Sequence, residues 1–270
     1  MWATSGRCLI VGVLNVTPDS FSDGGRFSSP GEAVDAGMRL VDEGAHWIDV
    51  GGESTRPRSQ PVGQAREIDR VVPVIEGLRQ RLGGRARISV DTYKAGTARA
   101  AIAAGADVVN DVSGGKLDPD ILAVAAEAGV LIVLGHMRGQ PATMMDDVVF
   151  DDVVAEVKAE LLGCVAAARE AGCRQVWADP GIGFGKRLTH NVALLRDLPV
   201  LVTGLGVPVM VGVSRKAFIG ELTGKPPGER IFGTAAAVTA SVLGGAAAVR
   251  VHDVGAMRDV VAVAEALFRV

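Results

Sequence analysis

Polar residues capable of ligand chemistry recur along the chain in small groups: Asn15; Glu53, Thr55 and Arg56; Asp91; Asn110 and Asp111; His136; Asp179; Ser214, Arg215 and Lys216; then Arg250, His252 and Asp253. An ionised carboxylate accepts hydrogen bonds and an amide both donates and accepts, so such groups can hold a polar ligand where they converge. Arg56, Lys216, Arg250 and His252 form a second set, cations suited to a di- or polyanion. Plainer uses compete with these. Asp and Asn also cap helices, and Arg250 and His252 can serve as structural ion-pair partners. His46 and His190 stand apart from the set and read as structural, and His136 reads as a satisfied strand-end histidine rather than a catalyst.

Placement favours a ligand. Each group ends a short apolar run rich in Val and Ile, and the runs alternate with Ala-rich segments of helical spacing, the pattern of parallel βα units. Eight strands are expected, over residues 8 to 14, 46 to 50, 87 to 91, 107 to 110, 130 to 134, 175 to 179, 208 to 213 and 247 to 251. Their near-continuous hydrophobicity predicts burial on both faces, with helices outside and barrel core inside. The expected fold is therefore an α/β (β/α)8 TIM barrel, a single domain over residues 1–270. Ligands bind such barrels at the C-terminal ends of the strands, so the polar groups converge on one mouth. Converging unpaired polar groups cost stability unless a ligand or network satisfies them. Arg250 and His252, two residues apart on one strand, project to the same side.

Among the helices the spacing is clearest in Val154, Val157, Leu161, Val165 and Ala168, an apolar stripe with Asp152, Glu156, Lys158 and Glu160 expected to face water. Four segments after strands are longer than usual connections: Asn15 to Gly31, Gly51 to Gln64, Gly135 to Phe150 and Glu221 to Ile231. Glycines punctuate them. Pro18, Gly24 and Gly25 mark turns in NVTPDSFSDGG, and Gly181, Gly183 and Gly185 in DPGIGFGK permit sharp turns or close approach to a ligand. That Gly-x-Gly-x-Gly run fits a Rossmann fingerprint poorly.

Composition narrows the partners. A formal charge of -3 gives no general attraction to nucleic acid or to an acidic membrane surface. Cys8, Cys164 and Cys173 lack metal-type spacing and read as packing residues of a reducing compartment. No apolar run approaches the roughly 20 residues of a membrane span, and no secretory pattern opens the chain, which favours a cytoplasmic location.

Together the motifs resemble the dihydropteroate synthase family from Val11 to Val254: GVLNVTPDSFSDGG, DVGGESTRP, SVDTYK, NDVSGG, DPGIGFGK, GVSRK and RVHDV, in that order. The resemblance implies a transferase of folate biosynthesis that joins 6-hydroxymethyl-7,8-dihydropterin pyrophosphate to p-aminobenzoate, releasing pyrophosphate by a dissociative route. It implies a pterin site at Asp91, Asn110, Asp179, Lys216, Arg250 and Met137, with Asp91, Lys216, Arg250 and His252 as the catalytic set. Asn15, Arg56, Arg250 and His252 would hold the pyrophosphate, and Asn15 would supply an oxygen ligand to Mg2+. Phe21, Thr55, Pro57, Phe184, Ser214 and Lys216 would meet p-aminobenzoate and the sulfonamides that mimic it. A homodimer is the expected assembly.

Two positions depart from the family pattern: Gly135 stands where relatives usually carry Met, and Arg58 stands where Gly is common. Both bear on the p-aminobenzoate pocket. Other classes share parts of the pattern. A pterin-dependent methyltransferase of the same superfamily would share the Asp and Asn residues but has no pyrophosphate to hold, so Arg56 and RVHDV argue against it. A Schiff-base aldolase would use Lys216 as an imine-forming nucleophile, and a non-catalytic pterin-binding protein would keep the pocket alone.

Overall fold

A computed structural model describes residues 7–17, 29–55 and 58–268. Eight strands lie close to their expected positions: Leu9–Asn15 (β1), Trp47–Gly51 (β2), Arg87–Asp91 (β3), Val108–Asp111 (β4), Leu131–Gly135 (β5), Val176–Asp179 (β6), Met210–Gly212 (β7) and Ala248–Val251 (β8). All named pairings are parallel, in the order β6-β5-β4-β3-β2-β1-β8-β7. A bridge between Ala178 and Val209, with the Ala178 N–H donating to Pro208 O at 3.0 Å, joins β6 to β7 and closes the barrel.

The strands bury both faces, as their continuous hydrophobicity predicts. Ile10, Leu14, Ile48, Val50, Ile88, Val90, Ile132 and Leu134 face the helices in one large core. The alternate positions Val11, Trp47, Val108, Leu131, Val133, Trp177, Met210 and Ala248 fill the barrel interior. At its centre Trp47 and Trp177 meet with ring centroids 5.0 Å apart. Side chains alternate along a strand with period two, so the residue two steps beyond each plug residue also points inward. Trp47 leads to Asp49, Val108 to Asn110, Trp177 to Asp179 and Ala248 to Arg250. One step converts an apolar plug into a polar cup.

Ten helices are present among the described residues: Pro30–Asp42 (α1), Gln64–Leu82 (α2), Ala95–Ala103 (α3), Asp120–Ala128 (α4), Val153–Glu170 (α5), Leu188–Arg196 (α6), Leu198–Leu205 (α7), Ala217–Thr223 (α8), Ile231–Leu243 (α9) and Val254–Phe268 (α10). The crossover from β6 to β7 divides at Asp197, whose backbone is not helical and which Pro199 follows in the first turn of α7. The segment expected as a long loop from Glu221 to Ile231 is in part helical, because Glu221 to Thr223 form the last turn of α8. In α5 the buried stripe is Val153, Val157, Leu161, Cys164 and Ala168, with Val154 and Val165 packed at its edges. Glu156 and Glu160 do not simply face water: both accept from Arg138, at 2.7 and 2.5 Å.

Candidate active site

Side-chain parity sorts the strand-end residues. Asn110 points into the cup, so its neighbour Asp111 points out. There Asp111 accepts from Ser113 N at 2.8 Å, Ser113 Oγ at 2.7 Å and Gly115 N at 2.6 Å, holding the turn before α4. Burial raises its carboxyl to about 6 against these donors. Asp253, beside His252, pairs with Arg215, with Nε to Oδ2 at 3.0 Å. Glu53 accepts from the Tyr93 hydroxyl at 2.9 Å and pairs with Lys94, which reaches Glu67 at 2.7 Å, in a network behind the cup. These groups have the structural uses that strand-end polar residues often have.

His136 is likewise structural. It is buried, with Nδ1 2.8 Å from Lys186 Nζ, and burial and then the Lys186 charge lower it to about 3, so the ring is neutral. Lys186 also donates to Gly181 O at 3.0 Å, Phe184 O at 3.1 Å and His136 O at 3.2 Å, tying the β6–α6 loop to the end of β5. The close packing requires glycine at 181, where φ is +66° and a Cβ would stand 1.8 Å from His136 O. His46 and His190 accept backbone N–H groups from Ile10 at 3.0 Å and Arg187 at 3.3 Å, and the three cysteines are buried thiols.

What remains converges. Asp91, Asn110, Asp179, Phe184, Lys216 and Arg250 line one pocket at the C-terminal mouth of the barrel. Arg250 lies across it, donating through Nε to Asp49 Oδ2 at 2.6 Å and through Nη2 to Asp91 Oδ2 at 2.7 Å. The ion pairs considered for Arg250 are thus present, inside the cup. Burial alone would push the guanidinium down, but Asp49 and Asp91 outweigh it and hold it above its ordinary value. Asp91 is raised to about 7 by burial, with Arg250 opposing and Asp49 reinforcing the shift. Its Oδ1 is buried with no hydrogen-bond partner among the described residues.

Opposite, burial also raises Asp179, against the nearby Lys216 charge, and its Oδ1 accepts from Gly181 N at 2.7 Å. Burial lowers Lys216 to about 8, with Asp179 partly offsetting it. Its ammonium sits 4.2 Å from the Phe184 ring centroid and donates to Ile182 O. Arg215, bound to Asp253, is not among the charges that shift Lys216.

At the rim, Ser214 Oγ meets His252 Nδ1 at 3.0 Å and accepts from His252 N at 3.2 Å. Asn15 Oδ1 and Asp91 Oδ2 lie 3.3 and 3.5 Å from a common point above Gly51, so the side chains that end β1 and β3 approach each other over the intervening β2. Met137 packs with Val112, Met144 and Phe184, behind the pocket wall rather than on it. Thr55 is partly buried at the tip of the β2 loop. Phe21, Arg56 and Pro57 lie outside the described residues, as do Pro18, Gly24 and Gly25.

Nothing in the sequence pattern singled out Asp49. It lies in mid-strand rather than at a tip, yet it is fully buried and accepts from both Arg250 and Asn110, the latter at 3.0 Å. Counting back two residues from Gly51 along β2 would have placed it in the cup.

A closed barrel whose mouth holds a flat slot between carboxylate, amide, lysine and arginine defines a class, and the comparisons agree with it. The pterin binding enzyme family matches residues 11–252, and the chain belongs to that family, on its dihydropteroate synthase branch. The dihydropteroate synthase of Synechocystis is 47% identical over 266 residues, covering 97% of this chain and 91% of the relative. A Xanthomonas albilineans dihydropteroate synthase solved with 4-aminobenzoic acid is 46% identical, with a TM-score of 0.89 and coverage of 98% and 94%. The Yersinia pestis enzyme, solved as a sulfonamide drug complex, is 39% identical, with a TM-score of 0.90 and coverage of 97% and 94%.

Proposed function

We infer that this chain is a transferase of folate biosynthesis, condensing 6-hydroxymethyl-7,8-dihydropterin pyrophosphate with p-aminobenzoate to give 7,8-dihydropteroate and pyrophosphate. The observation that carries the reading is the slot between Asp179, Lys216, Asn110 and Arg250. A pterin presents an amino group and a ring N–H side by side, which one carboxylate such as Asp179 can accept together. Lys216 donates to the ring carbonyl, Asn110 reads the remaining edge, and Arg250 lays its planar guanidinium against the ring. Arg250 and His252, with Arg56, take the charge of the pyrophosphate.

The route is dissociative. The bond between the pterin methylene carbon and the pyrophosphate oxygen breaks, and its electron pair leaves with pyrophosphate. The arylamine nitrogen then attacks the methylene cation, and the proton it sheds passes to solvent. An aniline needs no strong base, so the route asks for none from the cup. Asp91, once ionised, stabilises the cation, while Arg250 and His252 neutralise the leaving group.

Mg2+ fits the rim. Among the described residues no cluster of three or more His, Cys, Asp or Glu side chains forms a protein cage, whereas Asn15 presents a lone amide oxygen near Asp91. One protein oxygen with waters and phosphate oxygens suits this cation, which would add charge neutralisation to the pyrophosphate. p-Aminobenzoate, or a sulfonamide in its place, would lie toward the surface near Phe184, Ser214, Thr55 and Lys216. The family resemblance alone adds Phe21 and Pro57 to that set.

A homodimer is supported by apolar side chains left exposed on α8, α9 and α10. Phe232 is 86% exposed, with Leu243 eleven residues on, three turns along the same face of α9, and Leu222, Val263 and Leu267 on the adjoining helices. A cytoplasmic location is supported by the buried, unbridged cysteines, and no described helix is long and apolar enough to cross a membrane.

The test is direct. Purified protein is incubated with Mg2+, dihydropterin pyrophosphate and p-aminobenzoate, and pyrophosphate and dihydropteroate are measured. Appearance of both in equal amounts supports the reading, and neither appearing from folded protein overturns it.

A further inference from the structure

Asp49 is a fully buried carboxylate that does not line the pocket, so it has no direct part in the proposed chemistry. Its Oδ2 is shared between Arg250 Nε at 2.6 Å and Asn110 Nδ2 at 3.0 Å, while its Oδ1 meets no partner among the described residues. A buried carboxylate with one unmet oxygen is costly, and apolar side chains fill the same interior one step below. Its position therefore calls for a use beyond packing.

The two contacts supply one. An ionised carboxylate can only accept, so it selects the Nδ2 end of the Asn110 amide and leaves Oδ1 as the end available to a ligand. The same oxygen fixes Arg250 Nε while Asp91 holds Nη2, so the guanidinium is pinned at two points and its plane cannot rotate. We propose that Asp49 is a positioning residue of the pterin site, setting the Asn110 amide with its carbonyl oxygen toward the ligand and locking the plane of Arg250.

The inference rests on the pterin reading of the cup, but its experiment reads binding rather than turnover. Wild-type protein and Asp49→Asn are titrated by calorimetry with 6-hydroxymethylpterin, which carries no leaving group. An amide at position 49 can donate as readily as it accepts, so Asn110 is no longer held one way round. Pterin affinity is expected to fall at least tenfold. In an Asn110→Ala background the same change is expected to cost under threefold, because much of the effect passes through Asn110. In steady-state assays the KM for the pterin substrate rises while that for p-aminobenzoate stays within twofold.

Folded Asp49→Asn with wild-type pterin affinity overturns the proposal. Equal losses in the two backgrounds also overturn it, since a merely structural carboxylate would act independently of Asn110. If Asp49→Asn does not fold, Asp49→Ser, which leaves room for water, is titrated in the same way, and failure of both to fold assigns Asp49 to stability alone and overturns the proposal. Wild-type protein that binds the pterin but releases no pyrophosphate would sink the synthase reading and leave the role of Asp49 open to this same test.

Discussion

Arg250 Nη2 meets Asp91 Oδ2 at 2.7 Å across the mouth of the barrel, and with Asp49 on Nε one guanidinium is held between two carboxylates from neighbouring strands. The arrangement places a cation over the pocket proposed for the pterin, with its orientation already fixed. Arg250→Lys keeps the charge but not the planar two-point geometry. It is expected to lower kcat/KM by roughly 100-fold, the scale of losing one oriented electrostatic donor. Lys216→Ala is expected to lose as much. Steady-state rates, with circular dichroism to confirm folding, check both.

The pH dependence follows from the same cup. In the proposed route Asp91, raised to about 7, ionises to stabilise a cation, while Lys216, lowered to about 8, keeps its proton to donate. A kcat/KM profile, which reports the free enzyme, is therefore expected to rise through about 7 and fall through about 8. The profile of Asp91→Asn is expected to lose its acid limb, and a profile flat from pH 5 to 9 would contradict the assignment.

Thermal stability has its own sign. Asp91 and Asp111 hold protons more tightly folded than unfolded, since burial lifts them from 3.8 to about 7 and about 6. Their stabilising contribution is present in full below about 4 and is lost as pH rises through those folded values. Asp111→Asn is expected to flatten the part of the melting-temperature profile between pH 4 and 6, measured by calorimetry without substrate.

Lys186 makes a separate case. Replacing it with Met leaves the carbonyls of Phe184 and His136 without this donor inside a closed loop, whereas Gly181 O keeps the Phe184 N–H at 3.0 Å. The expected loss is about 2 kcal/mol, at roughly 1 kcal/mol or more for each buried acceptor left unmet. Denaturant unfolding measures it directly.

The proposed dimer is tested by Phe232→Glu, which puts a charge into the exposed apolar row of α9. Sedimentation is expected to show a shift from dimer to monomer, with little change in the melting of the barrel core. A wild-type chain that sediments as a monomer would refute the assembly.

The barrel was legible because every strand is an apolar run that a helix pattern follows, so strand positions could be fixed to within two residues. The pocket was legible where polar residues end those runs: Asp91, Asn110, Asp179, Lys216 and Arg250 all meet there. Asp111, His136 and Asp253 looked equivalent from proximity alone, and the parity that points them outward matters only once one inward residue per strand is known, while Glu53 lies past the end of β2 and is drawn off by Tyr93 and Lys94. Asp49 was hidden for the opposite reason, being inside an apolar run with no tip to mark it.

Gly135 and Arg58 show how the two departures fit. A Cβ at 135 would stand 2.7 Å from the Val112 backbone, so the turn after β4 rests directly on the end of β5. Arg58 takes the left-handed φ of 64° that glycine would adopt without strain, and its N–H donates to Pro141 O at 3.1 Å. The structure gives no reason for arginine rather than another residue there.

The paired indoles beneath the cup have an optical consequence. Trp47 and Trp177 lie two residues below Asp49 and Asp179, a rise of roughly 7 Å along a strand, and they are two of only three tryptophans in the chain. A pterin seated in the slot absorbs where indoles emit, at a distance where energy transfer is nearly complete. Occupancy of the site is thereby written into the protein's native fluorescence, and ligand arrival can be timed in a stopped-flow instrument with no label attached.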